Sequence, residues 1–205
     1  MTKTFLSLSP VCILLLAVVV STASPPATQE IRLPKPHYLR EPGDPDWLQM
    51  AVQFHGHLGP AIVVGVRMGA AGLDAVEAKG YFDIEVTAEG PFAGPPKSCI
   101  LDGLQLSTGA YLGKRNLHVT ESEDYVVKIK NKQTGKSVEI RPTPELLKLM
   151  WSRLEADDRD DDHDDDHDDD HDNDDANAEM RRVEAIARRV ADMPQEKIMT
   201  LKMNP

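Results

Sequence analysis

The sequence predicts an α+β domain, a small mixed or antiparallel sheet packed with helices. Three observations carry this. Residues 81–89 alternate cleanly, Phe82, Ile84, Val86 and Ala88 apolar against Asp83, Glu85, Thr87 and Glu89, which is the period of a half-buried strand. Residues 117–119, 125–130 and 137–141 read as further short strands, the last two joined by the hairpin loop 131–136. Around them, residues 60–79, 99–112, 143–156 and 176–191 read as helices from their apolar spacing and end signals.

The elements follow in order. Lys3, the apolar run 11–20 and Ser21-Thr22-Ala23 form a secretory signal peptide with cleavage after Ala23. The run is shorter than the roughly 20 residues a membrane span needs; an uncleaved anchor is the alternative. Cleavage leaves Cys99 as the single thiol, so no internal disulfide is available. Residues 24–45 are proline-rich, an extended linker or a strap over the domain surface.

The core domain spans 46–156. Trp47, Leu48, Val52 and Phe54 open it with a short helix. The helix over 60–79 has Pro60 at its first position and Gly80 as its stop. It carries Gly65, Gly69, Ala70, Ala71 and Gly72. A glycine costs about 1 kcal/mol against alanine inside a helix, and the cost is tolerable where another backbone must come close. This helix is therefore expected to be buried, with a subunit contact as one candidate partner. Ser98 is placed as the cap of the helix 99–112, in which Ile100, Leu101, Leu104, Thr108 and Tyr111 form a core stripe. Cys99, Asp102, Gly103, Leu106 and Ala110 form the other side. Thr143 and Pro144 start the helix 143–156.

Residues 157–175 are an Asp/His tract, followed over 176–205 by a helix and a tail that adds an edge strand. The helix has Met180, Val183, Ile186 and Val190 as its apolar stripe, with Arg181, Arg182, Arg188 and Arg189 outside it. The tract holds 14 Asp against one Arg, more negative charge than the whole chain's −11, so the rest of the chain is close to neutral. A nucleic-acid partner, which needs a basic patch, is excluded, and no membrane segment remains after signal cleavage.

The chemistry centres on Phe54-His55-Gly56-His57-Leu58-Gly59-Pro60. Histidines two residues apart point to nearly opposite sides of a helix but to one face of an extended segment. Gly56 and Pro60 favour a non-helical stretch ahead of a helix, so His55 and His57 can converge beside its N-terminus. Joined by Cys99, whose thiolate is favoured by a helix N-terminus and by Lys97, they make a nitrogen–sulfur donor set suited to zinc, with nickel, cobalt and iron(II) as alternatives. Three protein ligands leave an open coordination position. Asp102, one turn from Cys99, can orient a ligand or act on bound water, which makes Asp102 and Cys99 the catalytic candidates. The structural alternative is that both imidazoles bond backbone at a crowded turn and Cys99 is a small core residue. His163, His167 and His171, spaced by four among aspartates, form an auxiliary trap for divalent cations, or a solvated spacer. Lys114, Arg115 and Asn116 can hold an anionic group of a substrate or cofactor, or form a plain turn.

Phe54-His55-Gly56-His57-Leu58, the proline-started helix with Arg67-Met68, Ser98-Cys99-x-x-Asp102-x-x-Gln105, Thr108-Gly109 and Gly113-Lys114-x-Asn116-Leu117 occur in that order. Over residues 47–150 this pattern resembles the FmdE family, which takes its name from a component of formylmethanofuran dehydrogenase. The resemblance implies an α+β core that pairs as a homodimer, and a site around the histidine segment and the cysteine that holds metal in some members. Gly59 and Ala110 stand where the family has cysteines, and the cysteine-rich extension of some members is replaced by the acidic tract and the basic helix. Loss of thiols fits an oxidising compartment, periplasmic or secreted. Three functions follow: metal binding or handling, a metal-dependent enzyme of hydrolytic or one-carbon type, and a non-catalytic dimeric scaffold.

Overall fold

The computed structural model describes residues 31–151 and 172–204. Its α-helices are α1 (Asp46–His55), α2 (Pro60–Ala75), α3 (Cys99–Thr108), α4 (Pro144–Trp151), α5 (Asp172–Asp192) and α6 (Gln195–Ile198). Its strands are β1 (Ile84–Gly90), β2 (Leu117–Glu121), β3 (Val126–Asn131), β4 (Ser137–Pro142) and β5 (Met199–Asn204). The sheet runs β2-β1-β3-β4-β5. β1 and β2 are parallel and joined through α3, while the other neighbours are antiparallel. The α+β class holds, and the sheet is mixed.

The alternation in β1 does what its period requires. Ile84, Val86 and Ala88 are buried under the helices, and Glu85, Thr87 and Glu89 share the opposite face with residues such as Lys128 and Glu139. The strand begins later than expected because Tyr81–Asp83 forms a 3-10 turn, leaving Phe82 exposed. α2 lies over the buried face, where its Gly72 sits against the side chains of Ile129 and Ile140.

The small residues of α2 have a partner within the same chain. Gly65 and Gly103 meet where α2 crosses α3: a Cβ on Gly103 would lie 2.8 Å from the Gly65 carbonyl carbon, and one on Gly65 would lie 2.9 Å from the Gly103 Cα. Any side chain at either position would hold the helices apart. α2 ends at Ala75 rather than Lys79, because Glu77 turns to φ +54° and the Asn131 side-chain amide donates to the carbonyls of Val76 and Glu77. α3 ends at Thr108, with Gly109 in the left-handed conformation.

Ser98 is not the cap of α3. Its own backbone is helical and its N–H already donates to Gly94, so the turn begins earlier and its hydroxyl makes no cap bond. Thr143 does cap α4, accepting from the Leu146 N–H at 3.2 Å. The helix and strand beyond the acidic tract are built into the core: Ala187 and Val190 of α5 are fully buried, and β5 pairs along β4. Arg67 of α2 donates to the carbonyls of Val190, Ala191 and Met193 at the end of α5. Arg188, expected outside the apolar stripe, is mostly covered and bonds Asp44, Glu184 and Glu41, pinning the segment before α1 to α5. Burial alone would raise the Asp44 pKa, but Arg188, Tyr38 and the Glu41 N–H hold it at about 2.

Candidate functional site

The histidines do not share an extended segment. His55 is the last residue of α1, Gly56 turns left-handed at φ 102°, and His57 then runs extended into α2. The reversal still brings the imidazoles together, with centroids 4.6 Å apart and planes tilted by 41°. Gly59 precedes Pro60 at the helix start, so both rings stand beside the N-terminus of α2.

α3 supplies the rest. The one-turn spacing puts Cys99 and Asp102 on one face of the helix, and His55 Nδ1 lies 2.7 Å from Asp102 Oδ2. Gln105 donates to the other oxygen of that carboxylate at 3.3 Å. The His55 side chain is only 8% exposed, so the pairing forms in a low-dielectric setting. It pushes the His55 pKa up to about 9; the Cys99 thiol adds to the rise and burial opposes it. His57 moves the other way: burial lowers its pKa, and the positive charge on His55 lowers it further. At neutral pH one imidazole is charged and its neighbour is neutral.

His55 Nε2 is buried with no hydrogen bond of regular geometry, and besides Asp102 the Cys99 thiol is near enough to hydrogen-bond the ring. A cavity of about 230 Å³ opens beside it. His55, His57 and Cys99 line it, Pro60, Ala61 and Ile62 bring the first turn of α2, and α4 and α5 contribute Trp151, Val183 and Ile186. The three sequence-predicted donors thus line one cavity, although Cys99 lies more than forty positions from the histidines. Among the described residues no group of three or more His, Cys, Asp or Glu side chains is gathered tightly enough to enclose an ion.

Lys114 and Asn116 do not line this cavity. Lys114 lies over the Tyr111 ring at 4.0 Å. The Asn116 side chain is buried, donating to the Tyr81 and Ile84 carbonyls and accepting from the Tyr111 N–H, so its polar atoms are taken up in holding the 3-10 turn to β1. His163, His167 and His171 lie outside the described residues, as do residues 1–23, expected to form a signal peptide, and most of the tract.

Sequence reasoning missed two contributors. His37 donates its N–H to Gly56 at 2.7 Å and forms a parallel bridge with His57. It sits in a proline-rich stretch with no periodic signal. Glu184, which counters the lowering of the His57 pKa, is buried against Arg188, and only its i,i+4 spacing from that arginine hinted at it. At Gly59 the backbone is extended, at φ −122°, and a Cβ there would lie 3.4 Å from His57 Nε2.

Comparison with known proteins agrees with the resemblance. The FmdE family, described as "FmdE, Molybdenum formylmethanofuran dehydrogenase operon", matches residues 54–200. The crystal structure of a tungsten formylmethanofuran dehydrogenase FmdE-like protein from Syntrophus aciditrophicus is 17% identical, with 78% of this chain and 70% of that one covered at a TM-score of 0.47. No curated protein matches. With the family pattern running from the histidine segment into the last strand, this chain belongs to the FmdE family.

Proposed function

We propose that this protein is an exported metal-binding member of the FmdE family, holding a divalent transition metal, zinc foremost, through His55, His57 and Cys99. The observation that carries this reading is the His55 ring. Its Nδ1 is committed to Asp102, and the ring's other described partner is the Cys99 thiol, so a nitrogen and a sulfur donor face each other on the cavity. A carboxylate fixing one ring nitrogen so that the other is free to ligate is the usual arrangement of a metal-bound histidine. The donor types fit as well: His57 is biased toward its neutral, ligating form, and Cys99 is a free thiol on the same cavity. A metal there would supply Lewis acidity and a water of lowered pKa.

In this reading Asp102 orients His55, and the cavity admits a ligand to the open position. His163, His167 and His171 serve as an auxiliary trap. Export rests on the apolar run near the N-terminus; no helix among the described residues is long and apolar enough to cross a membrane. Pairing as a homodimer rests on the family resemblance. A metal-dependent hydrolytic or one-carbon enzyme is the second reading, favoured by the cavity beside the open position.

The test is elemental analysis of protein purified without a histidine tag and lacking residues 157–175, as wild type, His57→Ala and Cys99→Ala. About one equivalent of metal in wild type, lost in both variants with the circular dichroism spectrum retained, is the expected result. Equal metal in all three ends the proposal.

A further inference from the structure

Cys99, His55 and Asp102 stand in a row. Asp102 Oδ2 meets His55 Nδ1 at 2.7 Å. With Nδ1 taken, Nε2 is the ring nitrogen left for the Cys99 thiol, which is near enough to hydrogen-bond the ring. Gln105 donates to the second oxygen of Asp102 at 3.3 Å, so the carboxylate is itself oriented. The order is thiol, imidazole, carboxylate: a nucleophile, a base, and a group that fixes the base. Such a row asks for pairwise contacts only, not for three donors around one point, a gathering absent among the described residues.

Each member has the placement its part requires. Cys99 is a free, half-buried thiol that lines the cavity of about 230 Å³ together with His55. Asp102 is not among the residues lining it, so a molecule there meets the thiol and the imidazole but not the carboxylate. The three side chains stand on helices: α1 ends on His55, and α3 carries Cys99 and Asp102 one turn apart. Pro60, Ile62, Met150, Trp151, Val183 and Ile186 make most of the remaining lining apolar. The volume is below the roughly 300–1,000 Å³ of pockets that hold drug-sized ligands, which suits a short apolar acyl group.

We infer that Cys99 is the nucleophile of a site that hydrolyses small esters of apolar carboxylic acids, with His55 as general base and Asp102 as the residue that positions His55. The inference goes beyond the metal reading and needs no ion. In the first step Cys99 Sγ bonds to the ester carbonyl carbon and its proton passes to His55 Nε2. The carbon–oxygen bond to the alcohol then breaks, Nε2 gives the proton to the leaving oxygen, and the acyl group stays on Sγ as a thioester. Water attacks that thioester with Nε2 taking its proton, the carbon–sulfur bond breaks, and the proton returns to the thiol as the acid leaves. The sum is ester and water to acid and alcohol, with no oxidant or reductant.

The experiment treats the full chain with p-nitrophenyl butyrate in the presence of a chelator. Release of p-nitrophenolate is followed, and the butyryl adduct is located by peptide mass mapping, which separates Cys99 from Cys12. Cys99 should be acylated about a hundredfold or more faster in the folded protein than in urea, with release continuing past one equivalent. His55→Gln should lose about a hundredfold or more in acylation rate. Asp102→Asn should lower the maximal rate about tenfold or more and leave the half-saturating ester concentration unchanged, whereas a merely structural role would shift that concentration. If either variant misfolds, the comparison of folded wild type with urea decides. Acylation no faster in the folded protein, equal rates in the folded variants, or an adduct that water never releases overturns the inference. Metal content is read separately by the elemental analysis above, so either reading can fail alone.

Discussion

Replacing Asp102 by Asn tests the arrangement that organises the site. The substitution keeps the shape and removes the charge that His55 Nδ1 meets at 2.7 Å. In the metal-free protein the His55 pKa is held at about 9 against a usual 6.5, with Asp102 the largest cause. At about 1.4 kcal/mol per pKa step, the whole displacement corresponds to about 3 kcal/mol. Asp102 is 39% exposed and Cys99 carries part of the rise, so about 1–2 kcal/mol is the expected share of this pair. The sign follows from linkage. A group whose pKa is raised by folding adds stability that is complete below its unfolded value and disappears as the pH climbs through the folded one. Asp102→Asn should therefore lower stability by about 1–2 kcal/mol near pH 6, and the gap to wild type should close above about pH 9. Urea denaturation of metal-free protein at both pH values reads the gap, and the imidazole resonances in a pH titration read the pKa. A wild-type His55 that titrates near 6.5, or a stability gap that is the same at both pH values, refutes the reasoning.

Three further outcomes are expected. Gly103→Ala should cost about 1–3 kcal/mol or more in denaturant, because its Cβ would press on the backbone of α2 at Ile62, Gly65 and Val66; a neutral effect would show that α2 and α3 do not cross there. Gly59→Cys should strengthen zinc or cobalt binding about tenfold or more, because its Cβ falls 3.4 Å from His57 Nε2 on backbone that any residue adopts, and the thiolate-to-cobalt absorption should grow with it. Metal uptake should release protons, since at neutral pH an ion must displace the proton that Asp102 and Cys99 hold on His55; affinity measured in a pH series should rise from pH 6 to pH 9, and a flat series would contradict that.

Much of this was legible in the residues themselves. Alternation in 84–90 fixed which side chains face the helices, and the glycines of α2 announced a close backbone neighbour, because both patterns are local in the chain. The gathering of His55, His57 and Cys99 around one cavity was legible from donor chemistry and from the family pattern, since no periodicity relates positions so far apart. The neighbour of α2 proved to be α3 because Gly103, on the side of α3 away from its core stripe, is the residue small enough to let the two backbones touch. Ser98 misled because a favourable cap residue does not cap once the preceding turn is already helical. His37, Glu184 and the apolar wall from α5 were hidden for another reason: their roles arise from tertiary packing of segments whose own sequences specify only a strap and an amphipathic helix.

The way β5 and α5 join the fold has a practical consequence. β5 is zipped to β4 from Ser137–Asn204 through Pro142–Met199, Arg67 clasps the end of α5, and Arg188 holds the strap to that same helix. A protease cut inside 157–171 would sever the polypeptide yet leave two fragments interlocked through a shared sheet and a shared interior. The nicked protein should migrate as one species in native buffer and as two in detergent. The smaller fragment, made separately, should restore the larger, so this chain is a natural candidate for a split-protein reporter whose halves report reassembly through the cavity they jointly wall.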